Sequence, residues 1–167
     1  MKIELKNISF NERMSEETNC FIADLYINGV KAGQCQNQGH GGCTDYYGIE
    51  KRQTELIRQA EEYCKTLPDI DYGSFKIKNN LEHTIDRLFE NWLKTKEQNK
   101  MRRKMKTCIL VGSPDEDRLN YGYYNFKRPL SSIPKAQLQA SIERIKTKIP
   151  KGEVILNTNL KELGIEV

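Results

Sequence analysis

Long apolar runs are absent from this sequence. No stretch approaches the roughly 20 consecutive apolar residues that a membrane-spanning helix needs. The first ten residues, MKIELKNISF, alternate polar and apolar side chains, whereas a signal peptide has a continuous apolar centre. We therefore expect a cytoplasmic protein without a membrane partner.

The spacing of the cysteines indicates no disulfide framework. The chain has 167 residues, which is enough to bury a large apolar core without covalent cross-links. Five cysteines, an odd number, are scattered along it: Cys20, Cys35, Cys43, Cys64 and Cys108. We expect free thiols, most of them buried.

Complete catalytic and nucleotide-binding signatures are also missing. The stretch richest in glycine, NQGHGGCTDYYG at residues 37–48, matches neither GxxxxGK[ST] nor GxGxxG. A standard nucleoside-triphosphate loop is therefore not expected. The sequence implies no cofactor and favours a binding protein over an enzyme.

Charge is distributed unevenly in a chain whose composition, 37% apolar and 30% charged, is that of a folded protein. The formal net charge is +4, but residues 94–106, KTKEQNKMRRKMK, carry +6 and the remainder carries −2. We call residues 94–106 the basic segment; its cations are Lys94, Lys96, Lys100, Arg102, Arg103, Lys104 and Lys106. Such a segment can bind a nucleic-acid backbone or another protein, or it can be the solvated end of a helix.

Strands are predicted first at the start of the chain. KIELKNISF and CFIADLYI have apolar residues at alternate positions, and Asn28-Gly29 after the second favours a tight hairpin. The return strand would be VKAGQCQ. Further strands are predicted at FKIK, TCILVG, YYNFK and EVILN. Aromatic residues alternate in NYGYYNFKR, which is typical of a half-buried strand and also of a surface that stacks on nucleotides.

Helical spacing of apolar residues then predicts three helices. The first begins at Ile49 and ends before Pro68, the second begins near Asn79 or Asn80, and the third begins near Pro134. Asn79 and Glu82 are spaced as a capping box. The fold class is therefore α+β, with a mostly antiparallel sheet, an N-terminal β-hairpin and three helices. We expect one domain over residues 1–167, with a subdivision at a basic hinge near residues 94–107 as the alternative.

The glycine-rich stretch would then join a strand to a helix. That geometry exposes backbone N–H groups at the positive end of a helix dipole, where phosphates bind. The candidate ligand-binding residues are Asn37, Gly39, His40, Gly41, Gly42, Asp45, Tyr46 and Tyr47, completed by Arg128 from the C-terminal half. The alternative is a plain connecting loop whose glycines have positive φ.

Two other chemistries are open at the same stretch. Cys35, His40 and Cys43 are ligand types for zinc, although only His40 and Cys43 have the close spacing of structural zinc sites. His40 beside a bound phosphate could also begin hydrolysis, which would make the protein a nucleotide-processing enzyme. Elsewhere, Asp115, Glu116 and Asp117 are expected in a solvated loop, and His83 is expected to be structural.

The N-terminal quarter resembles a group of small uncharacterised proteins of bacteriophages and bacterial mobile elements. The shared pattern joins ETxCFxAxxYxxG to NxGHGG, with a weaker likeness at VILN. It is carried by Glu17, Thr18, Cys20, Phe21, Ala23, Tyr26, Gly29, Gly33, Asn37, Gly39, His40, Gly41 and Gly42. The resemblance implies no particular activity, but it implies a phage setting and therefore the cytoplasm of a host cell.

The leading hypothesis from the sequence is a phage-type accessory or counter-defence protein that sequesters a small phosphorylated ligand or nucleotide at residues 37–47. The alternative is a nucleic-acid or host-protein binding module that uses the basic segment. A homo-oligomer is compatible with both hypotheses, because sites in small proteins often form between subunits.

Overall fold

The computed structural model describes residues 1–113 and 121–166, and the chain divides into two compact units. The first unit is Met1–Leu93 and the second is Lys94–Val167. The predicted α+β class, with antiparallel sheets, an N-terminal hairpin and three helices, is confirmed. Within the described ranges, no helix is both long and apolar enough to cross a membrane.

A four-stranded antiparallel sheet forms the centre of the first unit. Its strands lie in chain order: β1 (Ile3–Phe10), β2 (Phe21–Ile27), β3 (Val30–Asn37) and β4 (Asp45–Tyr47). The predicted hairpin is confirmed, because Ile27 pairs with Val30 across a turn in which Asn28 and Gly29 both have positive φ. These are the φ values that a type I′ turn requires.

One face of this sheet is covered by two helices, α1 (Lys51–Lys65) and the first half of α2 (Leu81–Met105). Alternation along β2 directs Phe21, Ala23, Leu25 and Ile27 into the core, where the ring of Phe21 stacks on Phe89 of α2 with centroids 4.1 Å apart. The core includes Ile57, Ala60, Cys64, Leu81 and Ile85 from the helices.

The predicted strand-to-helix junction at the glycine-rich stretch is wrong. Strand β4 follows the stretch and pairs with β3, so the glycines connect two antiparallel strands. Helix α1 begins later, at Lys51, and Ile49 before it is 88% exposed. Glu50 and Gln53 form the capping box of α1. A three-residue strand is too short to give an alternating pattern, so β4 could not be predicted from the sequence.

The predicted start of the second helix is correct to within one residue, but its cap differs. Asn80 is the capping residue, because its Oδ1 accepts a hydrogen bond from the backbone N–H of His83 at 2.7 Å. The side chain of Asn79 instead contacts Pro68 and Thr84. Between α1 and α2 lies a small hairpin of β5 (Ile70–Asp71) and β6 (Lys76–Ile77).

The second unit contains a three-stranded antiparallel sheet and helix α3 (Lys135–Lys146). The strand order is β8 (Tyr121–Asn125), β7 (Cys108–Gly112) and β9 (Val154–Ile155). All five residues of β7 are buried, as its apolar sequence predicted. Ile109 and Val111 belong to one core cluster together with the α3 residues Leu138, Ile142 and Ile145. Cys108 and Leu110 belong to another, together with Met101 and Met105 of α2.

The closing strand is shorter than the predicted EVILN, and a side chain takes the place of its missing backbone pair. The Asn157 amide donates a hydrogen bond to the Cys108 carbonyl at 2.9 Å. Its oxygen accepts one from the Leu110 N–H at 2.7 Å. Asn157 therefore satisfies two backbone groups of β7 where β9 has ended.

Candidate functional site

The glycine-rich loop, residues 38–44, connects β3 to β4 and packs against residues 14–18 of the first unit. The Gly39 carbonyl accepts hydrogen bonds from the backbone N–H groups of Glu16, Glu17 and Thr18 at 2.9, 3.0 and 3.3 Å. These contacts join the loop before β2 to the loop after β3. Glu17, Thr18 and the glycines therefore belong to one local structure.

Asn37 is the centre of that structure. Its Oδ1 accepts hydrogen bonds from the Thr18 hydroxyl at 2.7 Å and from the Gly39 N–H at 2.9 Å. Its Nδ2 donates to the Gly42 carbonyl at 2.9 Å and to the Thr44 hydroxyl at 3.2 Å. Asn37 is buried and both ends of its amide are occupied, so its side chain holds the loop, and its role in ligand binding stays a prediction.

Backbone conformation requires glycine at two loop positions, and close approach adds a second reason at one of them. Gly39 has φ +91°, and a Cβ there would overlap the Met14 carbonyl and the Cys20 side chain. Gly41 has φ +84° and faces the Glu17 carboxylate. Gly42 has neither constraint, since no heavy atom lies within 4 Å of its Cβ position.

Carboxylates surround the same loop. His40 Nδ1 lies 3.2 Å from Oε2 of Glu16, and both side chains are exposed. The Thr44 N–H donates to Glu82 at 3.1 Å, and the Thr44 hydroxyl donates to Asp86 at 2.6 Å. These carboxylates accept from both donors of Thr44, and their negative charge would repel a phosphate. Because β4 rather than a helix follows the loop, the helix dipole that motivated the anion site does not act on these glycines, and anion binding here stays a prediction.

Burial raises the pKa of the Asp86 carboxyl above its ordinary value, and the nearby charges of Glu82 and Glu90 act in the same direction. The hydrogen bond from Thr44 and the charge of His83 oppose that shift. Asp86 is thus a partly buried acid that is held against the loop by one strong donor.

The three other predicted residues of the loop region lie on β4 and diverge. Tyr46 faces the core, where its hydroxyl donates to Glu61 at 3.0 Å and burial raises its pKa to about 12. Tyr47 faces the opposite side of the sheet and donates to Gln34 at 3.3 Å. The two rings therefore form no common stacking surface. Asp45 is exposed and pairs with Gln36 in the ladder.

The cysteines are free, and three of the five are buried. Cys35 lies in the core, where burial raises its pKa to about 12. Cys43 is exposed, and the Glu82 carboxylate raises its pKa, which disfavours a nucleophilic thiolate. Across residues 1–113 and 121–166, no group of three or more His, Cys, Asp or Glu could hold a metal ion. Cys35, His40 and Cys43 thus do not form the zinc site considered above.

The basic segment is helical through Met105, because α2 continues into the second unit. Residues 94–100 are exposed all round, and Met101 and Met105 then bury one side of the helix. In the described part of the chain, Lys100, Arg102 and Arg103 form no ion pair. Their charges are consequently directed to solvent.

Lys104 brings this basic helix end into contact with the aromatic strand. Its Nζ lies 3.6 Å from the ring centroid of Tyr123 and 5.1 Å from that of Tyr121. These distances are those of cation–π interactions. Tyr121 and Tyr123 are two residues apart on β8 and therefore share one face of the sheet. Tyr123 is 52% exposed.

Arg128 also belongs to the second unit, whereas the glycine-rich loop belongs to the first. Its guanidinium donates to the Gln137 side chain at 3.3 Å. Lys127 beside it is exposed and has φ +56°. The sequence-predicted binding residues are thus divided between the units, and Arg128 lies with the other basic residues.

The two units differ strongly in charge. The first has 11 Lys or Arg and 15 Asp or Glu, a formal net charge of −4. The second has 16 and 8, a formal net charge of +8. The positive charge of the second unit is therefore not confined to the basic segment, because α3 and its flanks add further lysines.

Sequence reasoning missed the carboxylates Glu82 and Asp86 around Thr44 and the contact of Lys104 with the tyrosines. The first contact depends on the unforeseen strand β4. Two features of the sequence point to the contact of Lys104 with the tyrosines. Tyr121 and Tyr123 alternate, and Lys104 lies beside the apolar pair Met101 and Met105. The predicted acidic loop of Asp115, Glu116 and Asp117 lies outside the described residues.

Comparison of the chain with protein-family models, curated proteins and solved structures finds no significant match.

Proposed function

We propose that this protein binds nucleic acid through its second unit. The binding surface, which we call the basic-aromatic surface, consists of Lys100, Arg103, Lys104, Tyr121 and Tyr123. The observation that supports the proposal most directly is the contact of the Lys104 ammonium with both tyrosine rings. Cations and aromatic rings on one surface can bind phosphates and bases of the same strand.

The charge distribution supports the same choice of unit. A formal net charge of +8 attracts a polyanion, and exposed cations without carboxylate partners can replace its counterions. Lys100 lies one helical turn before Lys104, and Arg103 lies three residues after Lys100, so the three are neighbours on the helix surface. The first unit carries −4 and surrounds its glycine-rich loop with carboxylates, which disfavours a phosphorylated ligand there.

The salt dependence of binding tests this proposal. The double variant Lys100→Gln/Arg103→Gln should bind a labelled oligonucleotide more weakly, and its slope of log K against log salt should be shallower by about 1.5, as expected for two lost phosphate contacts. The matched control is Lys51→Gln/Arg52→Gln, which removes two exposed cations of α1 in the first unit. The proposal fails if the wild-type chain does not bind at low salt, or if both double variants weaken binding equally.

The N-terminal motif supports a phage or mobile-element setting for this activity, by resemblance alone. In that setting the ligand would be host or phage nucleic acid, and the protein would act as an accessory or counter-defence factor. Purification from an expressing bacterium without nuclease treatment tests nucleic-acid binding in a cell: the chain should retain nucleic acid, measured as excess absorbance at 260 nm. Release of that nucleic acid should require salt.

A further inference from the structure

The spacing of the two tyrosines on β8 restricts the form of nucleic acid that the basic-aromatic surface can bind. Residues two apart on an antiparallel strand are separated by about 7 Å. Neighbouring nucleotides in one strand of B-DNA rise by only about 3.4 Å. The larger spacing therefore matches an extended strand and does not match the stacked bases of a duplex. Tyr123 is the ring available for stacking, because Tyr121 packs partly against the core cluster of Met101 and Met105.

The accessibility of the rings leads to the same restriction. A base inside a duplex has both faces covered by its neighbours, so only an unpaired base can stack on a protein side chain. Tyr123 is 52% exposed although Lys104 covers part of its ring. Strand β8 is also at the edge of its sheet, and no strand of the described residues pairs with its outer side. An extended chain can therefore lie along this edge of the sheet, next to the exposed part of Tyr123.

We infer that the basic-aromatic surface is specific for single-stranded nucleic acid, with one base stacked on Tyr123 and the adjoining phosphate bound by Lys104. This inference rests on the proposed function and specifies its ligand class. Lys104 is suited to the phosphate because its flexible side chain can swing off the ring as the base stacks, which leaves the ammonium beside the adjoining phosphate. Lys100, one turn earlier on α2, is placed for a neighbouring phosphate.

Fluorescence anisotropy with the full chain tests the inference. A labelled single strand and a duplex of the same length are each titrated at 50 and 200 mM salt. We expect the single strand to bind at least about tenfold more tightly than the duplex, and Tyr123→Leu to lose about tenfold or more for the single strand only. The salt dependence of Tyr123→Leu should match that of the wild type, because its phosphate contacts remain.

Two variants control for effects on folding and on exposed tyrosines in general. Tyr123→Phe keeps the ring and should retain the wild-type affinity. Tyr72→Leu removes a tyrosine of the first unit that is 56% exposed, and it should leave binding unchanged. The comparison of single strand with duplex needs no variant, so it stands even if Tyr123→Leu does not fold.

The outcomes separate this inference from the proposed function. Equal, salt-dependent binding of single strand and duplex, with no effect of Tyr123→Leu, would overturn the single-strand inference and leave nucleic-acid binding intact. Absence of binding to either probe at 50 mM salt would overturn both. Tighter binding to the single strand that Tyr123→Leu abolishes would support both.

Discussion

At the scale of single residues, contacts within the protein explain Asn37 and Gly39 of the NxGHGG motif. Asn37 connects the glycine-rich loop to Thr18 and Thr44, and Gly39 lies where a side chain would overlap backbone. His40 forms an exposed pair with Glu16. A motif of this kind can fix a loop without forming an active site.

Replacing Asn37 by Ala should destabilise the protein by about 2 kcal/mol or more, because partners on both sides of the amide lose their hydrogen bonds in a buried position. Chemical denaturation measures the free energy of unfolding. The neighbouring exposed residue provides the control, and Gln38→Ala should change that free energy by less than about 0.5 kcal/mol. Equal effects of the two substitutions would show that the Asn37 network contributes little.

Asp86 should make the first unit less stable as pH rises. Its folded-state pKa lies above the ordinary value of 3.8, so between these two values the folded protein holds more protons than the unfolded chain. The stability that this protonation contributes is present below pH 3.8 and is lost as pH rises through the folded pKa. Asp86→Asn removes that dependence.

The free energy of unfolding of Asp86→Asn minus that of the wild type should therefore be larger at pH 7 than at pH 4. Urea denaturation at the two pH values measures the difference. Glu55→Gln is a useful comparison, since the pKa of Glu55 is lowered to about 2 by hydrogen bonds from Arg58 and Gln59 and its pH dependence has the opposite sign. An advantage of Asp86→Asn that shrinks with rising pH would contradict the assignment.

At the scale of elements, the sequence predicted the features that depend on neighbouring residues and missed those that depend on pairing between distant residues. Asn28-Gly29 determined the first hairpin because turn chemistry depends only on adjacent residues. The three helices and the buried strand β7 followed from apolar periodicity. Strand β4 has three residues, and it is defined by its pairing with β3, which no local pattern encodes.

The error over β4 also explains the error over the loop. Once Asp45–Tyr47 is a strand, the glycines no longer precede a helix, and their N–H groups lose the helix dipole that motivated a phosphate site. The contacts of Thr44 with Glu82 and Asp86 follow from the same pairing, and they join residues 38 and 42 positions apart in the sequence. Residue types alone do not specify such long-range contacts.

Two glycines of the loop and one of the first hairpin provide a test at this scale. Gly42→Ala should be nearly neutral, because its φ is not positive and its Cβ position is open. Gly29→Ala, which has equal space but φ +80°, should cost about 1 kcal/mol through backbone strain. Gly39→Ala adds overlap with Met14 to that strain and should cost more than either. Thermal or urea denaturation of the three variants should give this order, and a large loss for Gly42→Ala would contradict it.

At the scale of the whole molecule, the protein combines an acidic unit and a basic unit in one chain. The sequence located the basic excess in residues 94–106, but the structure adds that Lys104 of this segment contacts the aromatic strand β8. Because the contact joins residues that lie far apart in the sequence, it could not be predicted from either motif alone. The proposed function belongs to the second unit for this reason.

Amide chemical-shift mapping by NMR, with a single-stranded oligonucleotide titrated into the full-length chain, tests this central claim most directly. The account predicts that shifts concentrate on residues 100–106 and 121–125 of the second unit, while the glycine-rich loop at residues 38–44 stays unchanged. Shifts confined to that loop, or an absence of shifts in the second unit at low salt, would contradict it.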